Sequence, residues 1–209
     1  VVVNSQMAPF QRDTLELLGI PKKKIVQSDW QPFIQADELV VPSLPDYVNI
    51  ASTVFLRQEL LTFPRKKVKA TKKIYISRSR AGHRRVCNEA TLREMLEKRG
   101  FQTVHFERMP FREQVNLMQE SKWVIGPHGA GLTNLVFAQP GTKVIELIHP
   151  KAVKRLFWSL SELMHLSYHY FFAEGELIPP GQDSYLNSED LEIDIHKLSQ
   201  MLDQVQADT

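Results

Sequence analysis

The densest chemistry in this 209-residue chain lies in Gly126-Pro127-His128-Gly129-Ala130-Gly131-Leu132-Thr133-Asn134. Three glycines in six positions permit a tight turn and a close backbone approach. The free N–H groups of a helix starting there would face a ligand with the positive end of the helix dipole. That is anion-binding chemistry, and His128 at its start strengthens the signal. The run is neither the G-x-G-x-x-G dinucleotide fingerprint nor a Walker loop, which would need a lysine after the last glycine.

Three more sets of residues carry chemistry. Ser77-Arg78-Ser79-Arg80, with Arg84 and Arg85 just before Asn88, could clamp an anion, because guanidinium forks match phosphate oxygens bidentately. The plain alternative is a solvated basic loop. Glu146 falls within a strand, where a carboxylate is costly unless it accepts hydrogen bonds; a ribose diol supplies two. A strand-edge glutamate paired with a local lysine is the alternative there. The turn Phe106-Glu107-Arg108-Met109-Pro110 could lay a base against apolar side chains and backbone amides. Taken by itself it is a simple connection.

Other chemistries are excluded or unsupported. His105, His149, His165, His169 and His196 lack ligand spacing and no H-E-x-x-H occurs, so a bound metal is not expected. The single cysteine, Cys87, rules out an intrachain disulfide and a cysteine-rich zinc site. With no base near it in sequence, it is expected to be a small packed side chain. Composition, 43% apolar and 24% charged, is that of a globular protein. No apolar run approaches the ~20 residues that span a bilayer.

Net charge is only +2, but ten Lys and Arg crowd Arg65 to Arg85 without an acid, while nine acids and only Lys197 follow from Glu174. The basic stretch could hold a polyanion, although a solvated linker is the simpler expectation, and no nucleic-acid partner is expected. The opening Val1-Val2-Val3-Asn4 reads as a cut from a longer protein. One cysteine and no targeting segment favour a bacterial cytosol, or a secretory lumen if the source is eukaryotic.

These residues need a frame to position them. From Lys73 onward strands and helices alternate: Ile74–Ser77, a helix capped by Asn88 and closed by Arg99-Gly100, then Phe101–Phe106. A helix from Pro110 follows, with Trp123–Ile125 after it, then a short helix through Leu132, Leu135 and Val136, and Lys143–Ile148. An amphipathic helix from Val153 to Met164, Tyr168–Phe172 and a terminal helix from about Ser188 complete the series. Such alternation predicts βαβ units and a Rossmann-like parallel sheet with helices on both faces, an α/β fold. Ligands of such sheets bind beyond the carboxyl ends of the strands, where the candidate residues fall. Residues 1–64, with strands at Val1–Val3, Lys24–Val26 and Glu38–Val41 and a helix over Asp46–Leu61, read as the tail of a preceding lobe. Residues 65–175 form the main domain and 176–209 a tail with its helix.

Taken in order, Lys73-Ile-Tyr-Ile-Ser-Arg78, Arg84-Arg85-Val-Cys-Asn88-Glu89, Arg99-Gly100-Phe101, Phe111-Arg-Glu-Gln114 and Gly126 through Asn134 resemble glycosyltransferase family 61. Leu17-Leu18-Gly19-Ile20 and Val40-Val41-Pro42-Ser43 add a fainter likeness. That family includes plant xylosyltransferases, O-linked N-acetylglucosaminyltransferases and bacterial capsular-polysaccharide proteins. The resemblance implies two facing Rossmann-like lobes (the GT-B arrangement), the C-terminal one holding a nucleotide sugar, usually a UDP-sugar. It implies an inverting transfer to a hydroxyl of a glycan or other acceptor, with no tightly held cofactor. By motif, Arg78, Arg84 or Arg85, His128 and the turn Gly129, Ala130, Gly131, Leu132, Asn134 would face the diphosphate. Glu146 would face the ribose, and Glu107, Met109 and Pro110 the base. Arg78 and His128 would carry the chemistry.

The general base is not assignable from sequence; Asp29, Asp37 and Glu38 are acids on the acceptor side. Two other functions fit parts of the pattern: a nucleotide-binding module of a polysaccharide-assembly complex that has lost transfer, and a polyanion binder. The second leaves the glycine turn and Glu146 without a role.

Overall fold

The computed structural model describes residues 1–3, 8–29, 33–41, 48–61, 68–175 and 189–207. A short parallel pair, β1 (Val2–Val3) and β2 (Val26–Gln27), opens the chain, with helix α1 (Pro9–Leu17) between its strands and α2 (Ile50–Leu60) after them. The main sheet contains β3 (Lys72–Ile76), β4 (Phe101–Val104), β5 (Ser121–Pro127), β6 (Lys143–Ile148) and β7 (Ser167–Phe172). All its pairings are parallel, in the order β4-β3-β5-β6-β7. This is the doubly wound, Rossmann-like order that the alternating pattern predicts.

The strands are apolar on both faces because both faces are covered. Ile74, Ile76, Val124 and Val144 pack on one side with α4 (Phe111–Glu120), a 3-10 helix over Ala130–Phe137 and α5 (Leu156–Leu163). Tyr75, Trp123, Ile125, Ile145 and Leu147 pack on the other with α3 (Glu89–Lys98) and α6 (Ile195–Ala207).

Helices α1 and α2 also lie on the first face. Phe111 N–H, at the start of α4, donates to Asp13 Oδ2 at 3.2 Å. Arg57 donates to the carbonyls of Val136 and Ala138 at the end of the 3-10 helix. The acidic C-terminal segment meets the end of the basic stretch, at Arg85, and the end of α3, at Arg99. Arg85 pairs with Asp190 at 2.7 Å and Arg99 with Asp203 at 2.6 Å, while Leu191 makes a parallel bridge to Val86.

Several local expectations change. Glu38–Val41 forms no strand: its three apolar side chains are exposed, and among the described residues no neighbouring strand offers them a pleated surface. Lys22–Lys24 is a 3-10 turn ahead of β2. Helix α1, which the pattern did not suggest, begins with Pro9 at its first position and is followed by Gly19 at φ +71°. Val153 lies before α5 and is 49% exposed. Asn88 makes no side-chain cap for α3; its amide instead donates to Ile193 O at 2.7 Å and accepts from Ile193 N–H at 3.2 Å. Helix α6 starts at Ile195, with Leu198 and Leu202 buried. Ser188, the Pro-Pro-Gly turn at 179–181, Pro42-Ser43 and the start of the basic stretch at 65–67 lie outside the described residues.

Candidate functional site

In a sheet of this order the chain leaves β3 toward β4 on one side and later returns through β5 on the other, opening a crevice past their carboxyl ends. Ser77-Arg78 follows β3 there and His128-Gly129 follows β5. Glycines let the two approach. A β-carbon at Gly126 would stand 3.2 Å from Ile76 Cβ, and one at Gly131 3.1 Å from Ile76 Cγ2. At Gly129 it would fall 2.8 Å from Arg78 Cζ, because the Arg78 guanidinium lies against that turn. Gly129 has φ 168°, extended backbone open to any residue, so the demand there is for space alone.

The turn that launches Arg78 is fixed by buried polar groups. Ser77 Oγ and Tyr75 OH both donate to Glu89 Oε1, at 2.7 and 2.9 Å, and Ser79 N–H donates to Ser77 Oγ at 3.2 Å. Arg78 Nη2 donates to His83 O at 3.2 Å. Arg84, at φ +55°, places Nη2 3.1 Å from His83 Nε2. The Nε atoms of Arg78 and Arg84 are buried without a hydrogen-bond partner among the described residues. Burial pushes both guanidinium pKa values down, and the Arg84 charge adds to the effect on Arg78, against a smaller opposing influence of Glu107. Two adjacent cations with unsatisfied buried donors make an environment that an oxyanion would relieve. Arg85 does not belong to it: its backbone N–H and guanidinium are spent on Asp190 at 2.7 to 3.0 Å. Asp190 holds the Arg85 pKa up through that hydrogen bond.

His128 is 6% exposed and Glu146 0%. His128 Nδ1 bonds Glu146 Oε1, and Tyr168 OH donates to Glu146 Oε2 at 2.5 Å. Glu146 is expected from the sequence to face a ribose; here both its oxygens meet protein side chains. It sits in mid-strand between β5 and β7. Burial, then the charge of Glu146, push the Tyr168 phenol far above its ordinary pKa, so it stays a donor.

Beside Arg78 opens a cleft of about 510 Å³. Glu107, Ala130, Gly131 and Asn134 line it, with Phe106 and Phe111 among its apolar walls and Phe10 and Leu56 contributed by α1 and α2. Met109, Pro110 and Leu132 do not line it. Met109 packs on the core, Pro110 precedes α4, and Leu132 is buried beneath the turn. Asp29, Asp37 and Glu38 are exposed and absent from its walls, and Cys87 is exposed rather than packed.

Sequence reasoning missed Gln114 as a site residue. Its Oε1 accepts from Asn134 Nδ2 at 3.0 Å, and its Nε2 donates to Phe106 O at 2.9 Å and Met109 O at 2.8 Å. The available signal was a polar residue inside the apolar stripe Phe111, Val115, Met118 of α4. Among the described residues no group of three or more His, Cys, Asp or Glu stands together as metal donors would, and no helix is long and apolar enough to cross a membrane.

A model of the family described as Glycosyltransferase 61 matches residues 6–145. The chain is 45% identical over 64 residues to a beta-1,2-xylosyltransferase of Oryza sativa subsp. japonica, covering 31% of this chain and 12% of that protein. It is 39% identical over 87 residues to an EGF domain-specific O-linked N-acetylglucosamine transferase of Drosophila melanogaster, 40% of this chain and 16% of that one. A beta-1,2-xylosyltransferase of Arabidopsis thaliana is 36% identical over 61 residues, 29% and 11% respectively. The matched stretches thus take up no more than 16% of any of these relatives. None of the three is bacterial, so they lend no support to a bacterial cytosol.

Proposed function

The chain belongs to glycosyltransferase family 61, and from that premise we propose that it binds a nucleotide sugar and transfers the sugar to a hydroxyl of a glycan. The observation that carries this reading is the pair of buried Nε donors on Arg78 and Arg84 that find no partner among the described residues. Arg78 follows β3 at the sheet's crevice and lies against Gly129, and the Arg84 charge is close enough to act on it. In the proposal a UDP-sugar lays its diphosphate against both guanidinium groups, the turn amides and His128. Its nucleoside lies in the adjoining cleft, past Glu107 and Asn134, against Phe106.

The chemistry is displacement at the anomeric carbon with inversion. The acceptor oxygen forms a bond to that carbon as the bond to the diphosphate oxygen breaks, and the electron pair leaves on the diphosphate. The acceptor proton passes to a base on the acceptor side. Negative charge grows on the diphosphate, and preorganised donors stabilise it with no reorganisation cost. Each such donor contributes ~3 kcal/mol to the barrier reduction in comparable sites. With eukaryotic relatives at hand, a secretory lumen is the compartment carried forward.

A polyanion binder would need the basic stretch as an open face. Lys72 is instead paired with Glu120 at 2.5 Å, Lys73 donates to Arg99 O at 3.1 Å, and Arg85 is held by Asp190. Calorimetric titration with UDP, joined to an assay for UDP released from a UDP-sugar, tests the proposal. Binding with turnover supports it, binding without turnover reduces the chain to a nucleotide-binding module, and no binding refutes it.

A further inference from the structure

Glu146 poses a problem that the donor site does not by itself solve. It is a carboxylate at 0% exposure in the central part of the sheet, and among the described residues no lysine or arginine pairs with it. Its partners among the described residues are His128 Nδ1 and Tyr168 OH. An ionised group in such a place costs several kcal/mol of desolvation unless its lone pairs are satisfied. An apolar residue would serve the sheet at least as well, so a bare structural role gives no reason for it. The register explains the contact: Glu146 lies opposite Gly126 of β5 and Tyr170 of β7, which brings the ends of both neighbouring strands within reach of its two oxygens.

We propose that Glu146 and Tyr168 are positioning residues that hold the His128 ring by Nδ1, so that Nε2 is presented to the diphosphate as a fixed hydrogen-bond donor. The proposal rests on the donor-site reading given above. Three further contacts restrict the ring. His128 N–H donates to Leu147 O at 2.9 Å, anchoring its backbone to β6. The Phe157 ring lies 5.1 Å from the imidazole centroid. Tyr168, kept protonated, occupies the second carboxylate oxygen, so Glu146 is not free to rotate away from Nδ1. With Nδ1–H bound to a carboxylate, the ring has one nitrogen left for work. Glu146 also carries the countercharge of an imidazolium, whose Nε2–H can donate to a diphosphate oxygen. No proton changes hands at Nε2 in this role: the electron pair of the breaking bond stays on the diphosphate, and the hydrogen bond stabilises it.

The test uses the 209-residue chain, UDP as the probe, and two readouts: UDP affinity by calorimetry and the His128 ring signals in nitrogen-15 NMR. Tyr168→Phe is expected to weaken UDP binding about threefold and Glu146→Gln about tenfold or more. Each should shift the His128 Nδ1–H signal. Should Glu146→Gln fail to fold, Tyr168→Phe carries the test. Unchanged affinity and an unmoved ring signal in the variants, with Arg78→Ala clearly weakened, overturn this inference and leave the donor site standing. Affinity lost without a ring shift, or a ring shift without lost affinity, overturns it as well. A wild-type chain that takes up no UDP removes the donor-site reading, and this inference falls with it.

Discussion

The guanidinium of Arg78 occupies the space that any side chain at Gly129 would need: a β-carbon there would fall 2.8 Å from Cζ and 3.2 Å from Nε. Because Gly129 has an extended φ of 168°, alanine is compatible with its backbone. The clash is with the far end of a flexible side chain, which can swing away. Gly129→Ala is therefore expected to keep the fold and a melting temperature close to wild type. It should displace Arg78 from the turn and weaken UDP binding about tenfold or more, the worth of one charge-assisted hydrogen bond. Calorimetry beside a thermal melt measures both halves. Full UDP affinity in the variant would separate Arg78 from the ligand.

Arg84 and Arg85 are adjacent in sequence and opposite in role. Arg84 turns inward at φ +55° with its Nε buried and without a partner among the described residues, whereas Arg85 reaches out to Asp190. Arg78→Ala and Arg84→Ala should each reduce UDP affinity by one to two orders of magnitude, on the order of 3 kcal/mol at most. Arg85→Ala should leave that affinity within about twofold, since its guanidinium contacts are with Asp190. An Arg85 variant as impaired as Arg78→Ala would mean that the loop, rather than two particular side chains, makes the anion site.

The sheet was legible because parallel strands covered on both faces read as apolar runs, as in Trp123–Ile125 and, interrupted only by Glu146, Val144–Ile148. The glycine turn was legible because its composition has a local meaning. What stayed hidden was lateral register. His128, Glu146 and Tyr168 are 18 and 22 residues apart along the chain, and only the β5-β6-β7 pairing makes them neighbours. The same limit hid the split between Arg84 and Arg85, because Asp190 is 105 residues from Arg85. Asn88 had a strong local reason to cap α3, and a long-range pairing with Ile193 overrode it. Glu38–Val41 failed in the opposite direction: its β-favouring side chains have no strand beside them among the described residues.

The Asn88 side chain imitates a strand residue, donating and accepting across to the backbone of Ile193 in the segment before α6. Asn88→Ala deletes both hydrogen bonds and leaves the partly buried Ile193 N–H and C=O to find water. Loss of about 1 to 3 kcal/mol of unfolding free energy is expected, read from a urea titration with an unchanged slope. If alanine there costs nothing, the tail is held by its other contacts, the Arg85–Asp190 and Arg99–Asp203 pairs, the Val86–Leu191 bridge and the buried Leu191 and Ile193.

Acid should loosen that tail before it touches the sheet. Asp190, Asp194 and Asp203 all have carboxyl pKa values held below their ordinary 3.8. The leading causes are the Arg85 side-chain hydrogen bond, the Lys197 backbone N–H and the Arg99 side-chain hydrogen bond, respectively. A carboxyl with a lowered folded pKa binds its proton more readily when unfolded. Its contribution is thus complete above about pH 4 and is lost as pH falls through the folded value. Asp203 is exposed and the Asp190 and Asp194 side chains keep about a quarter of their surface in solvent, at 26% and 27%, so each effect is small, but they act on one segment, residues 189–207. Hydrogen exchange followed by mass spectrometry between pH 5 and pH 3 should show α6 losing protection first, while β5 and β6 retain theirs. Simultaneous loss across sheet and tail would show that these pairs do not set the order of opening. At neutral pH, Asp190→Asn should reproduce part of the acid effect near Arg85 and leave the far end of α6, at Arg99 and Asp203, protected.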